Sequence, residues 1–128
     1  MKKQTLFTLL AFVFLLTSCA TMQNKSTSMK KYYSQAPDLS KVTYEGGEGK
    51  TLETSVIIKN AENERNGIAA EYNYITTKNG AKFTNWKPVG QSTSSINGKK
   101  IDVINIITIP GNEKITYYFD ITDFYGKF

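Results

Sequence analysis

Histidine is absent from the 128-residue sequence, and cysteine occurs only once, at Cys19. Without histidine the chain cannot carry a Ser-His-Asp triad, a Cys-His pair or the histidine ligands on which catalytic zinc sites are usually built. With one cysteine it cannot form an intramolecular disulfide, so the fold depends on its hydrophobic core. We therefore expect neither an enzyme nor a bound cofactor.

The excess of basic over acidic residues is also small. The chain has 16 basic and 11 acidic side chains, and Lys2 and Lys3 lie in a segment that we expect to be removed, which leaves 14 − 11 = +3 on the rest. Proteins that bind nucleic acid usually carry a clustered basic face. The composition therefore predicts no nucleic-acid partner.

The N-terminal segment "MKKQTLFTLLAFVFLLTSCA" has the order of a secretion signal: lysines, an apolar run, small residues. The apolar run, residues 9–16, is shorter than the roughly 20 residues that a transmembrane helix needs. Leu16-Thr17-Ser18-Cys19 resembles the lipobox of bacterial lipoproteins. The resemblance implies that residues 1–18 are a signal peptide, that cleavage occurs between Ser18 and Cys19, and that Cys19 carries acyl chains such as palmitate.

Acylation of Cys19 predicts a protein anchored to membrane lipid in the cell envelope, facing the periplasm. Two or three acyl chains give a stable anchor, because each buried methylene contributes roughly 0.8 kcal/mol. Residues 19–40 are rich in Ser, Thr, Lys, Asn and Gln without an apolar period, which indicates a flexible tether. Residues 41–128 then form the folded domain, and the choice between inner and outer membrane stays open.

The sequence of residues 41–128 predicts an α+β domain in which one helix packs on an antiparallel sheet of about four strands. The predicted order is one strand, the helix and a three-strand meander. "TSVIIK" is typical of a buried strand, and Asn60 is predicted to cap the helix that follows. The helix is expected to end at Gly80. Its predicted apolar face consists of Ala61, Ile68, Ala69, Tyr72 and Ile75.

The three later strands carry clear local signals. Pro88 and Gly90 confine the first to an edge or a bulge, and Asn97-Gly98 predicts a tight hairpin. The strand "KIDVINIITI" has isoleucine on both faces, so we expect it to be central and to leave an apolar patch on the second face of the sheet. In the last strand, alternation places four residues in the core: Ile115, Tyr117, Phe119 and Ile121.

The stretch "YEGGEGKTLE" contains Gly49-Lys50-Thr51, which ends a phosphate-binding P-loop when another glycine stands five residues before Gly49. That position is Tyr44, and a strand follows rather than a helix whose amides could bind phosphate. We interpret the stretch as a turn and expect no nucleotide.

Carboxylates and aromatic side chains supply the candidate sites. Asp120 and Asp123 either contribute to a cation site or cap turns, and no metal is assigned. Glu71 is predicted on the polar flank of the helix, within reach of Arg65 or Lys78. The surplus of aromatic residues suits a binding surface, for which the candidates are Tyr74, Tyr118, Asp120, Asp123 and Tyr125.

Four segments, "GGEG", "VIIKNAENE", "GIAAEY" and "YYFDITDFYGK", resemble in this order a group of small uncharacterised bacterial proteins. The resemblance runs from Tyr44 to Lys127 and implies one shared domain, with no activity to transfer. The function predicted is a small binding domain with an envelope protein as partner. The alternatives are an inhibitor or immunity-type protein, a binder of a small ligand or cation, and an enzyme that uses Tyr, Lys and carboxylates.

Overall fold

The computed structural model describes residues 34–128 of the protein, and Pro37–Phe128 form one compact unit. The predicted signal peptide, Cys19 and the first part of the tether lie outside the described residues. The elements in chain order are β1 (Thr43–Gly46), β2 (Val56–Lys59), α1 (Glu64–Asn79), β3 (Trp86–Ile96), β4 (Lys99–Thr108) and β5 (Lys114–Asp120). An α+β fold is therefore confirmed. Within the described residues no helix is long and apolar enough to cross a bilayer.

The sheet has five strands in the order β1-β2-β5-β4-β3, and it is mixed, which corrects the prediction of about four antiparallel strands. β1 pairs antiparallel with β2 after the turn at Gly46. α1 then carries the chain to β3 at the far edge, and the β3-β4-β5 meander returns towards β2. After the helical crossover β3 runs in the same direction as β2, and the two reversals of the meander make β5 parallel to β3 and therefore to β2.

The core lies between α1 and one face of the sheet. The alternation predicted for β5 is confirmed: Tyr117 and Phe119 are buried, and Ile115 packs against the core. Each fully buried side chain of this size contributes roughly 1.5–3 kcal/mol to folding. The other large members of this core are Val56, Ile58, Ile75, Trp86, Ile104, Ile106 and Phe124.

The helix begins one turn later than predicted. Its N-cap is Asn63, whose side-chain oxygen accepts a hydrogen bond from the backbone N–H of Asn66 at 3.0 Å. Asn60 has a φ of 63°, and its N–H donates to Asp123 at 2.9 Å, so it holds the turn between β2 and α1. The predicted stop at Gly80 is confirmed, since Gly80 caps the C-terminus with a φ of 92°.

The buried face of α1 also differs from the prediction. Asn66, Gly67, Ala70, Glu71 and Ile75 are buried, whereas Ile68 is 45% exposed. The apolar residues of this helix do not form one stripe, so the hydrophobic pattern could not fix its rotation. Packing fixes it instead, because the helix turns its glycine towards a large buried ring of the C-terminal segment.

The predictions for β3, β4 and the hairpin between them are confirmed. β3 is an edge strand with a bulge between Pro88 and Gly90. Asn97 and Gly98 close the hairpin with φ values of 51° and 77°, the positive φ that a type I′ turn requires. β4 lies between β3 and β5, inside the sheet.

Candidate functional site

The face of the sheet opposite α1, which we call the open face, carries apolar side chains on neighbouring strands. Tyr118 of β5 lies directly opposite Val103 of β4, and Ile101 lies opposite Asp120. Among the described helices and strands nothing packs over this face, and most of its side chains are half-buried. The apolar residues of the open face are Ile57, Ile96, Ile101, Val103, Ile107 and Tyr118.

A cleft of about 340 Å³ opens at one end of this face. It lies between the loop that precedes β2 and the β3-β4 hairpin. Apolar side chains and a few polar groups line it, which is the usual composition of a binding pocket, and its volume is near the lower end of the range for such pockets. Its side-chain lining comprises Leu52, Glu53, Ser55, Ile57, Ile96, Asn97, Lys99, Ile101 and Asp120.

The buried charged group of the cleft is Asp120, whose charge is neutralised by Lys99. Lys99 Nζ lies 3.2 Å from Asp120 Oδ2, and the N–H and hydroxyl of Thr122 donate to Oδ1 at 3.1 and 2.6 Å. Burial raises the pKa of Asp120, but the hydrogen bonds from Thr122 and Lys99 outweigh it, so the pKa lies below the usual value. Asp120 is therefore an ionised carboxylate paired with Lys99.

The glycine-rich stretch beside the cleft is a turn, as predicted. The carbonyl of Gly49 accepts a hydrogen bond from the N–H of Tyr118 at 2.8 Å, so the loop continues the sheet along β5. Gly49 has a φ of 75°, and a Cβ there would lie 2.9 Å from Val56 Cγ2. The ammonium of Lys50 lies 4.1 Å from the centre of the Tyr117 ring. The backbone geometry of the turn accounts for Gly49 without a bound phosphate.

A second unusual feature is a pair of acidic side chains buried between α1 and the sheet, which we call the acid pair. Glu71 of α1 is 0% exposed and Asp102 of β4 is 3% exposed. Asp102 accepts hydrogen bonds from Gln91 Nε2 at 2.6 Å and from the hydroxyl of Thr93. Neither carboxylate oxygen of Glu71 has such a donor among the described residues. The prediction of an exposed Glu71 paired with Arg65 or Lys78 is wrong.

Burial raises the pKa of Glu71 to about 9, and the negative charge of Asp102 adds to the rise. Two ionised carboxylates cannot form a hydrogen bond with each other, because neither has a donor. A protonated Glu71 has an O–H that is able to donate a hydrogen bond to Asp102. At neutral pH Glu71 therefore keeps its proton. Burial, followed by the charges of Glu71 and Asp102, also raises the pKa of the neighbouring Tyr72.

The acid pair does not resemble a catalytic site. A pair of carboxylates with separated pKa values suits acid–base chemistry when a substrate can reach it. Neither residue lines the cleft, and both are almost inaccessible to solvent. The burial of Glu71 was missed in the predictions. Glu71 lies four residues from both Gly67 and Ile75, and residues four apart share one face of a helix.

The structure brings together only two of the five predicted surface residues. Tyr118 and Asp120 both lie on the open face. Tyr74 packs on the core side, with its ring 5.8 Å from that of Phe119. Asp123 holds the β2-α1 turn, and Tyr125 lies in the C-terminal segment with Lys100 Nζ 4.7 Å from its ring centre.

Apart from Asp120, none of the residues that line the cleft was predicted as a site residue, and four of them are hydrophobic: Leu52, Ile57, Ile96 and Ile101. Ile57 could have been found, because alternation in β2 places it opposite Val56 and Ile58. Within the described part of the chain no group of three acidic, histidine or cysteine side chains is arranged to hold a metal ion. Comparisons with protein families, with curated proteins and with solved structures find no match to this chain.

Proposed function

We propose that this protein is a lipid-anchored protein of the cell envelope whose domain binds a partner protein through the open face. The observation that carries the proposal is the apolar character of that face, which no described helix or strand covers. Contiguous apolar surface of this kind on a small domain marks a site of interaction. The acylated Cys19 holds the domain at the membrane, facing the periplasm.

The open face has the anatomy of a protein interface. Its centre is apolar, and charged residues surround it: Glu45 and Lys59 on β1 and β2, Lys87 on β3 and Lys114 at the start of β5. An apolar centre with a polar rim is typical of protein-binding surfaces. The band of six apolar side chains also extends beyond the cleft, which favours a protein over a small molecule as the ligand. The cleft then receives an anchoring side chain of the partner.

The anchor predicts a defined covalent state of the mature protein. We expect mass spectrometry of the protein from its native membrane to show a chain that begins at Cys19 and carries acyl chains on that residue. A Cys19→Ser variant should remain uncleaved between Ser18 and residue 19. An unmodified Cys19 still joined to Ser18 would show that the lipoprotein assignment is wrong.

Binding through the open face is tested with two matched substitutions. Ile96→Lys places a charge in the cleft, and Ile68→Lys places the same charge on the exposed side of α1. We expect the protein and its Ile68→Lys variant to capture the same partner from an envelope extract, and Ile96→Lys to lose it while keeping its melting temperature within a few degrees. Equal capture by both variants would contradict the proposal.

The identity of the captured protein separates the alternatives. A single hydrolase that loses activity in the complex would indicate an inhibitor or immunity-type protein. The volume of the cleft, about 340 Å³, also fits a small ligand. In that case no protein is captured, and a metabolite panel raises the melting temperature of the Ile68→Lys variant but not of Ile96→Lys.

A further inference from the structure

β3 forms one border of the sheet, and a long part of this border is unprotected. It pairs with β4 on one side and with no other named strand among the described residues. Edge strands usually carry charges, proline or bulges, because their free backbone groups otherwise pair with other chains. In β3 these devices are confined to the first half, where Pro88 and the bulge before Gly90 lie.

The backbone groups that point outward from β3 can be assigned from β4. The carbonyl of Lys100 accepts from the N–H of Ile121 at 2.9 Å, so the backbone groups of Lys100 point towards the last part of the chain. In an antiparallel ladder the residue opposite must then point the other way, and Ser95 lies opposite Lys100. The same alternation applies to Thr93 and Gln91. We call the outward N–H and C=O groups of these three residues the β3 edge.

The two halves of β3 differ in whether their outward groups are used. In the first half, the carbonyl of Trp86 accepts a hydrogen bond from the N–H of Phe83 at 2.6 Å, so the loop before β3 covers this position. Along the β3 edge no backbone partner is present among the described residues. From Gln91 to Ile96 the strand also has no charged side chain. The second half of β3 is therefore ready to pair with an added strand.

The charges near the β3 edge select among the strands that could pair with it. Lys87 lies before it, and Lys100 lies opposite its last residue, Ser95, with Nζ 2.6 Å from Ser95 Oγ. Asp102, which Thr93 contacts, is buried. Two copies of this chain paired through β3 would bring lysines towards lysines, which is unfavourable. A segment with acidic residues at its ends is complementary to both lysines.

We propose that the β3 edge binds an extended segment of a partner protein that carries acidic residues at both ends and completes the sheet as a sixth strand. This is a second surface, beyond the open face, because the β3 edge contributes backbone groups whereas the open face contributes side chains. The backbone hydrogen bonds provide affinity, and the flanking charges provide the choice of partner.

The test uses a synthetic peptide of alternating valine and threonine with glutamates at both ends, and the full-length protein in detergent. Ser95→Pro removes one outward N–H without removing a hydrogen bond to β4, and Ser95→Ala removes only the hydroxyl that contacts Lys100. We expect the peptide to bind the protein and Ser95→Ala alike, and Ser95→Pro at least about tenfold more weakly. A peptide with lysines in place of the glutamates should bind the wild-type protein about tenfold more weakly.

Three results would overturn the proposal. These are no binding of the acidic peptide to the wild-type protein, equal binding by Ser95→Pro and Ser95→Ala, or a concentration-dependent dimer that Ser95→Pro abolishes, since the dimer would make a second copy the occupant. Ile96→Lys distinguishes this surface from the open face. Its loss of the envelope partner with unchanged peptide binding would mean that the two sites act separately.

Discussion

Replacing Glu71 with glutamine is expected to make the protein about 3 kcal/mol more stable at pH 7 and to remove most of the pH dependence of its stability. The wild-type carboxyl is fully buried beside Asp102, and its pKa rises to about 9 from an ordinary value of 4.5. Glutamine has the same size, stays neutral at every pH and is able to donate its amide to Asp102. The free energy of unfolding should be measured by urea denaturation from pH 4 to pH 9.

The direction of this pH dependence follows from proton binding. Between pH 4.5 and about 9 the folded protein keeps a proton on Glu71 that the unfolded chain has released. The stability provided by protonated Glu71 is therefore fully present below pH 4.5. It is lost as the pH rises towards the folded pKa, by about 1.4 kcal/mol per pH unit. The wild-type protein should be most stable at mildly acidic pH, and the Glu71→Gln variant should become the more stable of the two as the pH rises.

Two further variants make this prediction specific. Glu113→Gln removes an exposed carboxylate in the β4-β5 turn and should leave the wild-type slope unchanged. Asp102→Asn removes the neighbouring negative charge but leaves Glu71 buried. The free energy of unfolding should therefore still fall as the pH rises, but the fall should end at a lower pH than in the wild-type protein. If Glu71→Gln and the wild-type protein have parallel pH profiles, the carboxyl of Glu71 is not buried beside Asp102.

The second large effect is expected from Gly67→Ala in α1. Alanine in place of glycine normally stabilises a helix by up to about 1 kcal/mol. Here a Cβ on Gly67 would lie 2.3 Å from Cδ2 and 2.4 Å from Cε2 and Cγ of the Phe124 ring, which is only 1% exposed. Overpacking of this kind costs about 1–3 kcal/mol or more. We expect Gly67→Ala to reduce the free energy of unfolding by about 2 kcal/mol, measured in urea.

Two controls distinguish the clash with Phe124 from a general effect on the helix. Ile68→Ala, at the exposed position next to Gly67, should change stability by less than about 0.5 kcal/mol. In a Phe124→Leu background the smaller side chain leaves space, so Gly67→Ala should cost much less there, which gives a coupling energy in a double-mutant cycle. A stabilising Gly67→Ala in the wild-type background would show that the ring does not pack on Gly67.

Local signals in the sequence predicted the local structure well. Pro88 and Gly90 placed β3 at an edge with a bulge, Asn97-Gly98 set the hairpin, and alternation in β5 identified Tyr117 and Phe119 as core. Each of these depends on backbone dihedrals or on the two-residue period of a strand. Such features are decided by residues adjacent in sequence.

Long-range features were harder to predict because they depend on residues far apart in the chain. The parallel pairing of β2 with β5 joins Val56 to Phe119 across the whole meander. The rotation of α1 depends on the contact between Gly67 and Phe124, and it buries Glu71 against the expectation for a charged residue. The same limitation applied to the cleft, which combines the loop before β2, the β3-β4 hairpin and the end of β5.

The central proposal, that an anchored domain binds a partner protein through the open face, is tested most directly in living cells. A photo-crosslinking amino acid replaces Tyr118 on the open face or Ile68 on the exposed side of α1 in the full-length protein. After irradiation we predict one crosslinked partner protein in the membrane fraction from position 118 and none from position 68. No crosslink from position 118, or the same proteins from both positions, would contradict the proposal.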